Sequence, residues 1–333
     1  MAELAFHFAR STDTRRALQY ARQAADRAMD DYAFQDAVAQ YQVAASLASP
    51  GTAERGEILL QVGRAALLAG AGDAAEFAFT EARAVFVARG DRLRAGLAAH
   101  GLGLALWRRE ALAPAERALE DAVALASGEP AADSVRILLD LADLRGSSLY
   151  QHQAGLDVAR RAHSLAVQLG ARRLQATAGR TLGRLHVISN DLPQGVPLLE
   201  AALETALAEH DLVEAAETYA CLANAYQWAG QTRRSLELTE RRVELAREAH
   251  DEYQLRHVYS WGSFMASCLG EWWTADAMLD RQEPILEHMP GQEPLAFLHV
   301  NRGFSLYVRG DAAGANGVRS PTSTAPLLAP ALS

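Results

Sequence analysis

The stretch from Gly70 to Ala75, GAGDAA, has the spacing of the glycine-rich loop that holds a dinucleotide pyrophosphate. An acidic residue, Asp91, follows at about the distance at which a carboxylate would bind the ribose. Such a loop follows a β-branched strand, whereas the preceding LLQVGRAALLA is rich in alanine and leucine at helical spacing. The stretch is therefore predicted to be a turn between two helices and not a cofactor site.

The other chemistry-bearing residue types do not support catalysis or metal binding. All 32 basic residues are arginine, which excludes a phosphate-binding, Schiff-base or general-base lysine. The ten histidines form no HExxH pattern and no zinc spacing with cysteine, and no GxSxG is present. Cys221 and Cys268 are expected to be buried free thiols, with a disulfide as the alternative. We expect no enzyme activity, no cofactor and no metal.

Charge and hydropathy limit the environment of the protein. A net charge of −9 and a pI of about 5.6 argue against direct nucleic-acid binding. The N-terminal segment carries an acid at Glu3 and no apolar core, so it is not a signal peptide. No apolar run is long enough to cross a membrane. A cytoplasmic protein is expected.

The clearest pattern is a repeat with a 40-residue period. An anchor position is small in six of seven units and is occupied by Gly63, Gly103, Asp143, Gly183, Ala223, Ser263 and Gly303. A turn position seven residues later holds mostly turn formers, namely Gly70, Glu110, Tyr150, Asn190, Gly230, Gly270 and Gly310. A crossing position twelve residues after the anchor is always small, with Ala75, Ala115, Gly155, Gly195, Ser235, Ala275 and Ala315. The position nineteen residues after the anchor holds alanine in four units, namely Ala82, Ala122, Ala162 and Ala202. The two units after these have Arg242 and Gln282 there.

Each unit is thus predicted to be a helix, a tight turn and a second helix. Small residues at the anchor and crossing positions let the two helix backbones approach closely where they cross. Turn and capping residues recur between units, at Pro50, Gly90, Asp91, Pro130, Gly170, Asp211, Asp251 and Pro290. A slightly off-register unit at residues 24–48 begins the stack.

This spacing of small residues resembles the tetratricopeptide repeat (TPR), whose unit of about 34 residues is shorter than the unit here. The resemblance covers roughly residues 14–315. It implies an all-α, right-handed helical solenoid of about seven helix-turn-helix units. We expect three regions: an N-terminal helical junction with the off-register unit at 1–50, the solenoid at 51–315 and a disordered tail at 316–333.

A second resemblance is confined to the N-terminal segment. It is similar to the junction that opens the TPR sensor region of STAND-type bacterial regulators, including LuxR-type transcription activators. The matching residues are Leu4, Ala5, His7, Phe8, Ala17, Tyr20, Ala21, Ala24, Ala37 and Tyr41. The nucleotide-binding module and the DNA-binding helix-turn-helix of that family have no counterpart here. The resemblance implies the sensor region of a larger regulator, and an uncapped C-terminal end predicts self-association.

In a TPR stack the first helices line a concave groove, and this places several candidate binding residues. Arg180 and Arg184, one turn apart and facing Asn224 on the next first helix, could hold a carboxylate. The alternative is that these arginines pair with local acids. The other groove candidates are Gln227, Trp228, His257 and Phe264. Most remaining aromatic residues, including Trp272 and Trp273, are expected to pack in the core or between units.

The expected function is recognition of a protein, a peptide or a small effector in this groove, without catalysis. Two contexts remain open: the sensor region of a transcriptional or signalling regulator, or a free-standing TPR adaptor. An enzyme is the least favoured class, because no acid/base or metal cluster can be located.

Overall fold

The computed structural model describes residues 13–126, 131–248, 251–287 and 293–318. Within these ranges the regular structure is helical, with sixteen α-helices and no strand. The chain divides into two compact units, Met1–Leu174 and Gln175–Ser333. The boundary between these units lies near residue 174. The sequence instead predicts boundaries near residues 50 and 315, and these remain predictions.

The helices alternate between first and second members of helix-turn-helix pairs. In the N-terminal part they are α1 (Thr14–Asp30), α2 (Phe34–Leu47), α3 (Ala53–Leu68), α4 (Gly72–Ala88), α5 (Arg92–Arg108), α6 (Leu112–Leu125), α7 (Ala132–Asp143) and α8 (His152–Gln168). A single π-helical turn, Leu144–Ser148, extends α7. The following helices are α9 (Arg172–Ile188), α10 (Leu192–Ala208), α11 (Leu212–Trp228), α12 (Thr232–Glu248), α13 (Glu252–Cys268), α14 (Trp272–Glu287), α15 (Glu293–Val308) and α16 (Ala312–Gly317).

The turn position of the repeat behaves as predicted. All seven residues there have positive φ, from 57° at Tyr150 to 92° at Gly310. At Gly70 the backbone closes α3 with a hydrogen bond from its own N–H to Leu67 O and another from Ala71 N–H to Ala66 O. Glycine adopts this left-handed conformation without steric cost. GAGDAA is therefore a helix-to-helix turn.

Asp91 has a capping role that agrees with its place at a unit boundary. Its Oδ1 accepts the Arg94 backbone N–H at 3.1 Å, and its Oδ2 pairs with the Arg94 guanidinium at 2.7 Å. Five further aspartates cap helix N-termini in the same way, namely Asp13, Asp191, Asp211, Asp251 and Asp311. Each side-chain oxygen satisfies an N–H group that the helix itself cannot pair.

Close helix crossings are confirmed at two crossing positions, Gly155 and Gly195. A Cβ built on Gly195 of α10 would lie 2.8 Å from the carbonyl oxygen of Gly183 in α9. At Gly155 a Cβ would lie 2.8 Å from the Cα of Gly146, which is backbone and cannot turn aside. Only small residues allow these backbone approaches.

The cores of the two units combine alanine with a few large side chains. In the first unit, the ring of Phe79 on α4 fills the space that side chains would need at Gly63 and Gly101. In the second unit, Met265 and Leu279 are fully buried. Within the described ranges, no helix is both long and apolar enough to span a bilayer.

Candidate binding surface

Arg180 is paired with a local acid, which is one of the two possibilities that the sequence leaves open. Its Nε donates to Oε1 of Glu214 at 2.5 Å, and Thr177 Oγ1 donates to the other carboxylate oxygen at 2.9 Å. Burial opposes the charge of Arg180, but the hydrogen bond and the attraction of Glu214 outweigh it and raise the pKa of Arg180 above its ordinary value. A ligand carboxylate would have to displace Glu214 to bind Arg180.

Arg184 and Asn224 occupy equivalent repeat positions, one residue after the anchors of successive units. Arg184 is half-buried and Asn224 is exposed. Arg180 and Arg184 both favour the thiolate of the neighbouring Cys221, but burial outweighs them and raises the pKa of that thiol. Cys221 is therefore no reactive nucleophile at neutral pH. Carboxylate binding by Arg184 and Asn224 remains a prediction.

Arg242 reaches the same region from a second helix. The alanines at its repeat position, Ala82, Ala122, Ala162 and Ala202, are all buried. The Arg242 guanidinium donates to Gln254 Oε1 of α13 and lies 3.7 Å from Glu217 Oε1 of α11. Gln254 Nε2 in turn donates to that Glu217 oxygen at 2.6 Å. The side chain of Arg242 thus bridges α11 and α13.

The bridge leaves Arg242 incompletely paired. Its Nε is buried and has no hydrogen-bond partner among the described residues. Burial lowers the pKa of Arg242, and the charge of Glu217 opposes this effect. The side chain remains charged, because an arginine pKa lies far above neutrality. Most buried polar groups have a hydrogen-bond partner, so the unpaired Nε of Arg242 is unusual.

His257 lies next to Arg256 in α13, with Nη2 of Arg256 2.7 Å from Nε2 of His257. Burial lowers the pKa of His257, and the charges of Arg256 and Arg242 lower it further. We call the following residues the arginine network: Arg180, Arg184, Arg242, Arg256, Glu214 and Glu217. Asp251 acts on Arg242 as well, in addition to Glu217.

Gln227 and Trp228 lie at the end of α11. Trp228 is 58% exposed. Gln227 is half-buried, and its Oε1 is buried without a hydrogen-bond partner within the part of the chain that the structure describes. The placement of Gln227 and Trp228 on a binding surface remains a prediction.

Phe264 is half-buried and belongs to a cluster of rings on α13 and α15. Its ring centroid lies 5.8 Å from that of Trp261 and 5.1 Å from that of Phe304. Val300 and Tyr307 flank Phe304 on α15, one helical turn to either side. Trp261, Val300 and Tyr307 are 41%, 45% and 48% exposed. We call these five residues the aromatic patch.

A side-chain amide holds the two helices of the aromatic patch together. Asn301 Nδ2 on α15 donates to the carbonyl oxygen of Ser260 at 3.0 Å and to its Oγ at 2.7 Å. This contact fixes α15 against α13 next to Trp261. The patch is therefore presented by a defined helix pairing, although much of its apolar surface faces solvent.

Two expectations from the sequence are wrong in detail. Trp273 lies in the first turn of α14 and is 90% exposed, so it does not pack between units. Cys268 is a free thiol as expected, but it is exposed at the end of α13. The repeat pattern places both residues at helix ends, but it does not show whether a neighbouring helix covers their side chains.

Among first helices of the N-terminal unit, several polar side chains pair with each other. His100 Nε2 lies 2.5 Å from Asp140 Oδ2, and Trp107 Nε1 donates to Ser148 Oγ at 3.0 Å. These contacts join α5 to α7 and to the π-turn that follows it. No group of three or more residues suited to metal binding occurs among the residues described.

The sequence misses Glu214, Arg242 and Trp261 as members of the surface. One signal for Arg242 was available, since it replaces alanine at a repeat position. No comparable signal marks Glu214, because its pairing with Arg180 depends on the stacking of α9 against α11.

Comparison with known proteins supports the architecture. No protein-family model and no curated protein matches the chain. Among solved structures, a Rap protein complexed with Competence and Sporulation Factor has a TM-score of 0.61 and 11% identity, over 90% of this chain and 89% of that one. The Rap conjugation gene regulator of the plasmid pLS20, in complex with the Phr* peptide, has a TM-score of 0.55 and 15% identity, over 83% and 75%.

A third similar structure is a STAND protein with a TPR sensor from Pyrococcus horikoshii. Its TM-score is 0.62 with 13% identity, and the match covers 90% of this chain but 45% of that one. The chain thus spans less than half of that relative. At these identities the similarity establishes the fold, which is an all-α, TPR-like helical solenoid.

Proposed function

We propose that the chain is a non-catalytic repeat module that binds a protein or peptide segment. The binding surface is the first-helix face of the second unit, defined by Arg184, Asn224, Gln227, Trp228, His257 and the aromatic patch. The observation that carries the proposal is the aromatic patch, where exposed side chains and two half-buried rings are held by the pairing of α13 with α15. Exposed aromatic side chains with polar surroundings are typical of binding surfaces. Two similar Rap structures contain a bound factor or peptide, which supports this class of function.

Selection of a random peptide library against the immobilised full chain tests this proposal. Peptides that bind are then measured by fluorescence anisotropy with the Trp261→Ala variant and with Trp273→Ala as a matched control. Both tryptophans are exposed, but Trp273 lies on a second helix. We expect Trp261→Ala to weaken binding roughly tenfold or more, as for an aromatic anchor, and Trp273→Ala to have little effect. Equal effects of the two substitutions would contradict the placement of the site.

We propose further that the module is the sensor region of a larger regulator of the STAND type and acts in the cytoplasm. The similar STAND structure and the N-terminal sequence resemblance support this context. Leu4, Ala5, His7 and Phe8 of that resemblance lie outside the described residues. Reading the coding DNA on both sides tests the proposal: an upstream frame encoding GxxxxGK[ST] supports it, whereas stop codons close to both ends favour the free-standing adaptor.

Self-association through the C-terminal helix pair and recognition of a small effector are further proposals. The second helix of that pair, α16, is much shorter than the second helices before it. Val308 at the end of α15 is 39% exposed. A stack of repeats needs a polar surface at its end to remain monomeric.

A further inference from the structure

We propose that a C-terminal segment of this chain, residues 320–333, binds to the aromatic patch and competes there with a separate peptide. We call these residues, SPTSTAPLLAPALS, the proline segment. Leu327 and Leu328 are its anchors and pack on the rings of the patch. This inference rests on the proposed function and names a regulator of that same surface.

The first observation is the composition of the proline segment. Its 14 residues include no charged residue, in a chain of which 22% of the residues are charged. Three of the eleven prolines of the chain lie in it, at Pro321, Pro326 and Pro330. Proline restricts the backbone, so a segment that contains several prolines loses less conformational entropy when it binds. Such segments typically bind to surfaces lined by aromatic side chains.

The second observation is the chemistry of the surface around the aromatic patch. Two arginines of α15 lie next to the residues of the patch, and both are paired with acids of α14. Arg302 pairs with Asp280 at 3.2 Å, and Arg309 pairs with Asp276 at 2.6 Å. The amide of Asn301 donates to Ser260. An uncharged, apolar segment can therefore cover the patch without competing for these partners.

The third observation is the place where the proline segment is attached. Val318 is the last described residue, and its Cβ lies 3.9 Å from the position that a Cβ on Gly303 of α15 would occupy. Gly303 precedes Phe304 of the patch. The nine residues from Val318 to Leu327 span up to about 28 Å in an extended, proline-rich conformation. A helix with its side chains is about 10–12 Å across, so the segment is long enough to pass around α15 to the patch.

The attachment favours the proline segment over a separate ligand. A short flexible linker gives a tethered segment an effective concentration of the order of millimolar. A separate peptide binds only to the fraction of molecules whose patch is not covered, which lowers its apparent affinity. A partner must therefore bind more tightly than the uncovered patch alone would require.

Fluorine NMR of the full chain labelled with 5-fluorotryptophan tests the inference. The Trp261→Phe variant assigns the signal of Trp261. Trp273, which is 90% exposed on α14, supplies an internal reference. The test variant carries Leu327→Ser together with Leu328→Ser.

A control variant carries Thr322→Ala together with Ser323→Ala, so it changes the same segment without removing the apolar anchors. Circular dichroism checks that both variants keep the helical content of the parent. A fluorescein-labelled peptide of residues 320–333, added to each protein and followed by anisotropy, gives a second measurement.

We expect the leucine variant to shift the Trp261 signal and to leave the Trp273 signal in place, at every protein concentration. The labelled peptide should bind the leucine variant roughly tenfold more tightly than it binds the parent, because the attached segment no longer competes. The control variant should behave as the parent does. An unchanged Trp261 signal would overturn the inference. A shift that depends on protein concentration would overturn it too, because the segment of a second copy would then cover the patch.

The same measurements separate this inference from the proposed function. If the Trp261 signal does not respond but library peptides bind and lose affinity in Trp261→Ala, the inference fails and the proposed function survives. If the signal responds and no library peptide binds even to the leucine variant, binding of the proline segment is retained and recognition of a separate partner fails.

Discussion

At the scale of single residues, Arg180 and Arg242 are both largely buried but have different partners. Arg180 has a close partner in Glu214, whose carboxylate also accepts from Thr177. Arg242 has an amide partner and only a distant carboxylate. The Glu214 contacts offset the cost of burying the charge of Arg180, whereas the contacts of Arg242 offset that cost less completely.

The pairing of Arg180 predicts a large effect of its partner on stability. Glu214→Ala leaves a mostly buried guanidinium without its carboxylate, which should cost about 3 kcal/mol in the free energy of unfolding. Urea denaturation followed by circular dichroism measures the change. Glu244→Ala is the control, since its pair with Arg241 is exposed and should matter by less than about 0.5 kcal/mol. Similar losses in both variants would show that Glu214 does not hold Arg180.

At the scale of helices, small residues decide how closely each pair packs. Gly155 contacts the backbone of the π-turn that extends α7, so added atoms there must push α8 away. Gly303 occupies an anchor position too, but a Cβ there would meet its nearest atom, the carbonyl oxygen of Ala315, at 3.7 Å, which is ordinary contact. The same repeat pattern therefore carries different steric demands in different units.

Alanine substitutions at Gly155 and Gly303 should change the stability of the fold in opposite directions. Gly155→Ala should destabilise the protein by about 2 kcal/mol because the crossing is overpacked. Gly303→Ala should be neutral or stabilise by up to about 1 kcal/mol, because alanine is the better helix former and has room. Thermal unfolding by calorimetry compares the two variants with the parent. A stabilising Gly155→Ala would refute the close crossing of α8 and the π-turn.

At the scale of the whole molecule, the repeat makes stability local. Within each described unit the helices pack mainly against their neighbours along the chain, as in other solenoids. An end of such a stack therefore exposes the surface that an inner pair would cover. Val308, which lies at the end of α15 and outside the aromatic patch, is 39% exposed.

The proposed self-association gives a prediction at this scale. Light scattering over a range of concentrations should show a mass that rises above that of the monomer. Val308→Glu should reduce the rise by placing a charge on the C-terminal pair. Val213→Glu is the control, because Val213 is also exposed but lies at the start of α11. A monomeric mass at every concentration would contradict the prediction.

Much of the fold follows from the sequence because its determinants are local or periodic. The turn position predicts the left-handed residues, including non-glycine positions such as Glu110 and Asn190. Asp91 is recognisable as a boundary residue and caps its helix. Small residues at Gly183 and Gly195 predict the crossing of their helices. Each of these features depends on a few neighbouring residues and repeats many times along the chain.

The binding surface is only partly predictable for the opposite reason. The sequence by itself determined the all-α repeat, its period, its turns and the helices that carry Arg180, Trp228 and Phe264. Only the tertiary structure decided that Arg180 is paired with Glu214 and that Arg242 passes between two first helices to Gln254. Such contacts join residues on separate helices, and their geometry depends on how neighbouring units stack. Hydrophobic periodicity determines which face of a helix is buried, but it does not determine which side chain on the next helix lies within hydrogen-bond distance.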